Sequence, residues 1–461
     1  MSSKQDTTFA HISDAHIGHR QYNVKKRRDD MQLSFLSAAA EAVDRGVDFA
    51  VFSGDLFHNK DVDALALSDA ERCLNEFQIE ENNEDEDDIP VVAIQGNHDD
   101  NLYKEDLSWL EYLHQQGKLI FLEADFGDTE TFEPHDPDDR GTSAGFVDFD
   151  DVRVFGVQYL GRRLENRLDD VVEGIQTANE RYGDPTYTVL LGHFGIEGQV
   201  PKMSGLEYSK LEPLREMVDY FGVGHLHTQY SIADWVYSPG SLEVHSIQED
   251  SNDLGYYTVT TTDDGLEPEH HLAKRRPFYT VELSVDGYES PEELEQDFDE
   301  QVEAEVPNLR DTQDREQFRG RGERRNPVVY LRLTGLLEFS RSRLDMDVLK
   351  GSIEKRMDPI HIEPNDAMET RDAISVLEDI DDGKDAVTDE YGQIDRDKLE
   401  RRVFEQLVDE HPKFGDCPEE VASVLQSVKR RHLAEEPIDA VSDMIQEERR
   451  ELFPVEGGDS V

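Results

Sequence analysis

Five short runs in this chain set aspartate, histidine and asparagine side chains at spacings that suit divalent cations. They are Asp14-Ala15-His16, Gly54-Asp55-Leu56-Phe57-His58, Gly96-Asn97-His98-Asp99, Gly192-His193 and Gly224-His225-Leu226-His227. A lone Gly-Asp or Gly-His usually marks only a turn, but five in order form a constellation. The chemistry it supports is hydrolysis of a phosphate ester between two cations about 3.5–4 Å apart. Negative oxygens shield the phosphorus of a phosphodiester, and water is a weak nucleophile at neutral pH. Paired cations neutralise those oxygens and acidify a water. The protein must then supply one bridging carboxylate, for which Asp55 is the candidate, and neutral donors that leave positive charge to meet the phosphate. Asn97 suits that need, because an amide oxygen ligates without cancelling charge. Asp14 and His16, two apart at the end of a strand, are expected to point to one side, and His225 and His227 repeat the spacing.

Each run follows a short apolar, β-prone stretch, at residues 9–12, 49–52, 91–94, 188–191 and 220–223. Strands ending at one edge of a sheet bring their loops into one cleft. Helical patterns at 31–43, 62–77, 105–115 and 168–182 alternate with them, which predicts an α/β domain over residues 1–262. A small α+β unit is expected over 273–366, with strands at 278–285, 328–333 and 359–362 and helices at 291–306 and 346–356. Residues 367–461 read as an acidic linker, 378–389, and three amphipathic helices. Their stripes are Leu399, Val403, Phe404 and Leu407; Val421, Val424, Leu425 and Val428; and Ile438, Val441, Ile445 and Leu452. The acidic run at 80–88 reads as a solvated loop.

The 461 residues carry 105 acidic and 47 basic side chains, a net charge of -58. Such a surface repels nucleic acid at low salt, yet at molar salt the Debye length shrinks to roughly 3 Å and only close charge patterns act. A halophilic cytoplasm accounts for the acidity and leaves a DNA substrate open. No run of eighteen apolar residues and no signal-peptide pattern is present, so a soluble, cytoplasmic protein without a membrane partner is expected. Cys73 and Cys417 stand far apart and outside any Cys-x-x-Cys pair, which argues against a disulfide framework.

Taken together, residues 7 to about 245 resemble the calcineurin-like metallophosphoesterases. Within them, His-Ile-Ser-Asp-Ala-His-Ile-Gly at 11–18, Gly-Asp-Leu-Phe-His at 54–58 and Arg275-Arg276-Pro277-Phe278 resemble the archaeal SbcD-like, meiotic-recombination-type nucleases of DNA double-strand break repair. The resemblance implies a four-layer α/β/β/α sandwich with a small α+β cap domain and a helical C-terminal region. It implies two Mn2+ per subunit, one held by Asp14, His16, Asp55 and His227 and the other by Asp55, Asn97, His193 and His225. His98 would contact the scissile phosphate and assist the leaving oxygen, and His58 would support catalysis near the first metal. It further implies 3'-to-5' exonuclease activity on duplex ends and endonuclease activity on single-stranded or hairpin DNA. The partners would be DNA, a second copy in a homodimer, and an SbcC-like coiled-coil ABC ATPase docked on the C-terminal helices, giving a heterotetramer.

Other readings stay open at this stage. Arg20, Lys25, Arg275, Arg276 and Arg321 are candidate contacts to the DNA backbone, although a solvated face is the default for any such cluster. The apolar stripes of 62–77 and 105–115 could pack on their own sheet or form the dimer contact. His11, His19 and His114 read as structural or surface residues. A small-molecule phosphodiesterase, or an architectural subunit with weak nuclease activity, are the rival functions.

Overall fold

The computed structural model describes residues 6–78, 88–99, 107–127, 130–141, 143–201, 203, 205–315, 325–370, 396–409, 414, 417–433 and 438–452. The chain divides into two units. The first comprises Met1–Tyr279, Val306–Tyr330 and Met357–Ile362, and the second Thr280–Glu305, Leu331–Arg356 and Glu363–Val461.

The first unit is built on two six-stranded sheets. In chain order the strands are β1 (Thr8–Ile12), β2 (Phe49–Phe52), β3 (Val91–Ile94), β4 (Ile120–Leu122), β5 (Phe146–Phe149) and β6 (Val152–Gly156). They continue with β7 (Tyr187–His193), β8 (Tyr220–Gly224), β9 (Gln229–Ile232), β10 (Val236–Pro239), β11 (Gly255–Thr262) and β12 (Gly265–Leu272). One sheet has the order β12-β11-β1-β2-β3-β4 and the other β5-β6-β7-β8-β10-β9. Strands β1 to β4 run parallel, as do β6, β7 and β8, so their carboxyl ends share an edge within each sheet.

Alternation along the strands sorts their side chains into three layers of core. Phe9, Phe49, Val51, Val92 and Ile94 of the first sheet meet Val152, Val154, Val189, Leu191 and Tyr220 of the second in one buried cluster between the sheets. The other faces, Ala10, Ile12, Ala50, Phe52 and Ala93, pack under helices α1 (Lys25–Asp44), α2 (Ala64–Leu74) and α3 (Trp109–Gln115). Phe155, Leu190, Phe221 and Val223 pack under α4 (Leu168–Tyr182) through Val171, Ile175 and Ala178. Helix, sheet, sheet and helix thus form the expected four layers. Both faces of the central strands are covered, which explains why they read as continuous apolar runs.

The helices begin where their caps allow. Asp63 accepts the Ala66 N–H at 2.7 Å to start α2, and Ser108 with Glu111 forms a capping box for α3. Most of the α2 stripe, Ala66, Ala70, Cys73 and Leu74, is buried on its own sheet, as are Leu110 and Leu113 of α3. Leu65 and Leu107 are each 52% exposed.

Strands β13 (Phe278–Ser284), β14 (Val328–Leu337) and β15 (His361–Thr370) pair in that order in a third sheet. Two helices, α5 (Pro291–Arg315) and α6 (Met346–Met357), meet within the second unit through Arg356 Nη1, which donates to Asp299 Oδ1 at 2.6 Å. Helices also cover Arg396–Asp409, Pro418–Leu433 and Ile438–Leu452. Leu399, Leu407 and Ile438 fall within these helices with their side chains left undescribed, and the linker 378–389 and all but the last residue of the acidic run 80–88 lie outside the described residues. Among the described residues no helix is long and apolar enough to cross a membrane.

Candidate metal centre

All five motifs meet at the carboxyl ends of β1, β2, β3, β7 and β8. Backbone hydrogen bonds zip the first two loops together: the N–H groups of Asp14, His16 and Ile17 donate to the carbonyls of Gly54, Asp55 and Leu56 at 3.1, 3.0 and 2.8 Å. The side chains converge through turns, not through strand alternation, which corrects the expectation for Asp14 with His16 and for His225 with His227. β1 ends at Ile12 and β8 at Gly224. Beyond them Asp14, His16, His225 and His227, like Asp55 after β2, take positive φ values of 52°, 45°, 103°, 51° and 58°. Five of the eleven non-glycine residues with positive φ among the described residues are therefore candidate ligands. Conformations that cost about 1–3 kcal/mol each persist where surrounding structure enforces them, commonly at functional sites.

Two sets of donors result. In the first, Nε2 of His16 and Nε2 of His227 face each other at 2.8 Å, with Asp14 Oδ1 4.0 and 3.8 Å from them and Asp55 Oδ2 3.8 Å from His16. In the second, Asn97 Oδ1 lies 3.1 Å from His193 Nε2 and 2.8 Å from His225 Nδ1, and His193 Nε2 is 3.2 Å from the same Asp55 Oδ2. Asp55 Oδ2 is thus the shared atom. Asp14, His16, Asp55 and His193 are buried, whereas Asn97, His225 and His227 are partly open, so the pocket has a solvent side. Carboxylate, amide and imidazole donors without thiolate fit manganese, iron or zinc.

Burial pushes the Asp14 carboxyl up, while His16 is pushed well below its ordinary value by burial and by the imidazoles around it, which keeps it a neutral donor. Burial works against the charge on Asp55 too, but His193 and the His98 backbone N–H outweigh it and hold the carboxyl at about 2. Burial likewise opposes the charge on His193, yet Asp55 raises that imidazole to about 9. To hold a cation there, His193 would have to give up that proton.

The glycines of the motifs have a steric reason. A Cβ on Gly96 would stand on the Asp55 carboxylate, and one on Gly224 would lie 2.9 Å from His193 Nδ1 and 3.0 Å from Asp14 Oδ2. Asp99, the last residue of its motif, accepts the N–H groups of Phe57, Gly96 and Leu56 at 2.8, 3.1 and 3.2 Å and so ties the Asp55 loop to the Asn97 loop. Burial, with repulsion from Asp55, lifts its carboxyl to about 7.

His98 lies at the rim. Its Nδ1 donates to the His58 carbonyl at 2.6 Å, which leaves Nε2 for the pocket. His58 Nδ1 stands 3.4 Å from His16 Nδ1. His11, read as structural, is buried between Tyr220 Oη and Ser53 Oγ, each at 2.8 Å. His19, read the same way, instead stacks on His58 with centroids 3.7 Å apart and belongs to the pocket. His245 and Glu249, which the motifs do not include, also stand there, Glu249 Oε1 being 3.3 Å from His227 Nδ1.

The cationic candidates separate. Arg20 and Lys25 are exposed. Arg275 donates to Asp250 Oδ1 at 2.8 Å. Arg276 is 4% exposed, and its Nη2 donates to Asp30 Oδ1 at 2.8 Å, so its guanidinium is spent inside the fold and leaves the set of phosphate contacts. Arg321 lies outside the described residues.

Two sheets between helices carry carboxylate and imidazole donors at their strand ends, and residues 7–229 match the calcineurin-like phosphoesterase family. More narrowly, the chain is similar to the DNA double-strand break repair protein Mre11 of Archaeoglobus fulgidus, 28% identical over 301 residues that cover 61% of this chain and 63% of that protein. It is 26% identical over 296 residues to the protein of that name from Haloferax volcanii, covering 63% of this chain and 57% of the relative. The matches thus span less than two thirds of these relatives' own length. A solved dimetal phosphatase from Danio rerio superposes with a TM-score of 0.37 at 12% identity, over 57% of this chain and 95% of that one.

Proposed function

We propose that this chain is a manganese-dependent DNA nuclease of double-strand break repair, working with an ABC-type ATPase. The observation that carries the proposal is Asp55 Oδ2, placed 3.8 Å from His16 Nε2 and 3.2 Å from His193 Nε2 at the meeting of two donor sets. Asp14, His16, Asp55 and His227 would hold one ion, and Asp55, Asn97, His193 and His225 the other. When bound, the two ions supply charge neutralisation at the phosphate and activation of water. Two carboxylates leave half of the charge of two divalent ions uncancelled, so the pocket attracts an anionic ester. His98, fixed by its Nδ1 contact, presents Nε2 to the oxygen that departs. His58 braces both His98, through its carbonyl, and His16.

The named function of the relatives supports DNA as substrate, as do the exposed Arg20 and Lys25 and a second unit that a small ester does not require. By the same resemblance the chain would act as a 3'-to-5' exonuclease on duplex ends and an endonuclease on single-stranded or hairpin DNA. Leu65 and Leu107 would meet a second copy, and the C-terminal helices would dock the ATPase in a cytoplasmic assembly on DNA.

Incubation with Mn2+ from low to molar salt, using end-labelled duplex DNA and a chromogenic phosphodiester in parallel, tests this. Cleavage of DNA is expected, persisting at molar salt and abolished by a chelator. Hydrolysis of the small ester alone would make the chain a small-molecule phosphodiesterase. Binding of DNA without cutting would make it an architectural subunit.

A further inference from the structure

Besides His58 and His98, two further histidines of the pocket, His19 and His245, stand outside the donor sets described above. The ring of His245 lies 4.5 Å from that of His16 and 4.7 Å from that of His227, centroid to centroid. The ring of His19 lies nearly parallel to it, with centroids 5.2 Å apart and the two Nδ1 atoms 3.0 Å apart. That contact occupies Nδ1 of His245. Its Nε2 is sealed from solvent and has no hydrogen-bond partner among the described residues. Buried polar atoms are seldom left so, and each exception calls for an explanation such as an ion. His16, His227 and His245 each bring a ring nitrogen within 4.8 Å of the other two, as donors to one cation do.

The backbone at this residue is clamped from both directions. The His245 N–H donates to Glu249 Oε2 at 2.8 Å, and the other oxygen of that carboxylate is the one beside His227 Nδ1. The His245 carbonyl accepts from Gln21 Nε2 at 2.8 Å, and Gln21 Oε1 in turn accepts from Arg27 Nε at 2.8 Å. Arg27 also donates to the Val244 carbonyl at 2.9 Å and to Glu243 Oε2 at 3.0 Å. It is wholly buried, and its Nη1 donates to Asp30 at 2.7 Å. A guanidinium taken out of water needs every such partner, and here those partners fix the segment 243–245.

We infer that His245, through Nε2, is a further ligand of the first cation beside His16 and His227, and that His19 is the positioning residue that orients its ring. The inference rests on the two-ion reading of the centre. For Nε2 to offer a lone pair, Nδ1 must carry the proton and donate it to Nδ1 of His19. Such outer partners set the tautomer of a ligating histidine and raise its basicity. A third neutral nitrogen holds the ion more firmly without cancelling its charge, so attraction for the phosphate is preserved.

Calorimetric titration of Mn2+ into the metal-free full chain tests this, with wild type expected to bind two ions. His245→Phe keeps a ring in place but removes both nitrogens. It is expected to weaken the first-ion event at least roughly tenfold and to leave the other unchanged, while His19→Phe weakens the same event by about tenfold or less. Unchanged affinities in His245→Phe would overturn the inference. Wild type binding fewer than two ions would instead overturn the reading of the centre itself. Should the variant not fold, 15N-histidine-labelled wild type loaded with 113Cd gives a second readout. Five imidazoles with one-bond cadmium coupling support the inference, and four exclude it.

Discussion

Asp55→Ala is expected to lose both Mn2+ ions and, with them, several kcal/mol of transition-state stabilisation, roughly a thousandfold or more in phosphodiester cleavage. The reason is the position of one oxygen. Asp55 Oδ2 faces His16 in one donor set at 3.8 Å and His193 in the other at 3.2 Å. Its removal also leaves the His193 imidazole without the partner that raises it to about 9. Asp55→Asn is the control for folding, because asparagine tolerates the left-handed conformation, φ 58°, that this turn demands. Both variants should fold like wild type by circular dichroism, and in both metal analysis should find the two ions lost. Retention of two ions with full activity in Asp55→Ala would show that the bridge lies elsewhere.

His98→Ala should behave in the opposite way, with metal retained and turnover reduced by roughly 10²–10⁴. What His98 gives to the metal loop is its backbone, since its N–H donates to Asp55 Oδ1 at 2.8 Å, and alanine keeps that bond. What it gives to the reaction is the ring, held by the His58 carbonyl with Nε2 directed away from that contact. The loss should therefore fall on kcat, measured on labelled DNA at saturating Mn2+, while two ions are still counted per chain. Loss of an ion together with activity would make His98 a ligand and remove it from the role of proton or hydrogen-bond donor.

The parts of the molecule that were legible in the sequence are those governed by apolar runs and short motifs. β2 and β3 begin and end where their buried stretches do, because strands covered on both faces carry few polar interruptions. α4 also matches its pattern, ending at Gly183. β11 and the edge strand β12 were harder to read. Threonine in β11 and histidine and glutamate in β12 interrupt the apolar pattern, and pairing of β11 with β1 and of β12 with β11 decides their conformation more than hydrophobicity does.

At the centre, donor types could be read but backbone conformation could not. Nothing in Asp-Ala-His announces two left-handed residues; the zipper to Gly54 and Asp55 imposes them. His245 lay beyond reach for a similar reason. It follows the last motif only after β9 and β10, and its place is set by Gln21 and Arg27, distant in sequence, together with the nearby Glu249. Arg276 misled because charge in an acidic chain suggests a ligand-facing surface, whereas the buried Asp30 was its partner. The net charge of -58 sits outside the fold's logic and fits a solvent of high ionic strength, in keeping with the Haloferax relative.

A pair of cations astride one carboxylate would be seen most directly by anomalous scattering at the manganese edge from crystals grown in Mn2+. Two peaks are expected about 3.5–4 Å apart, one among Asp14, His16, Asp55 and His227 and the other among Asp55, Asn97, His193 and His225. A single peak, or peaks that do not flank Asp55, would contradict it.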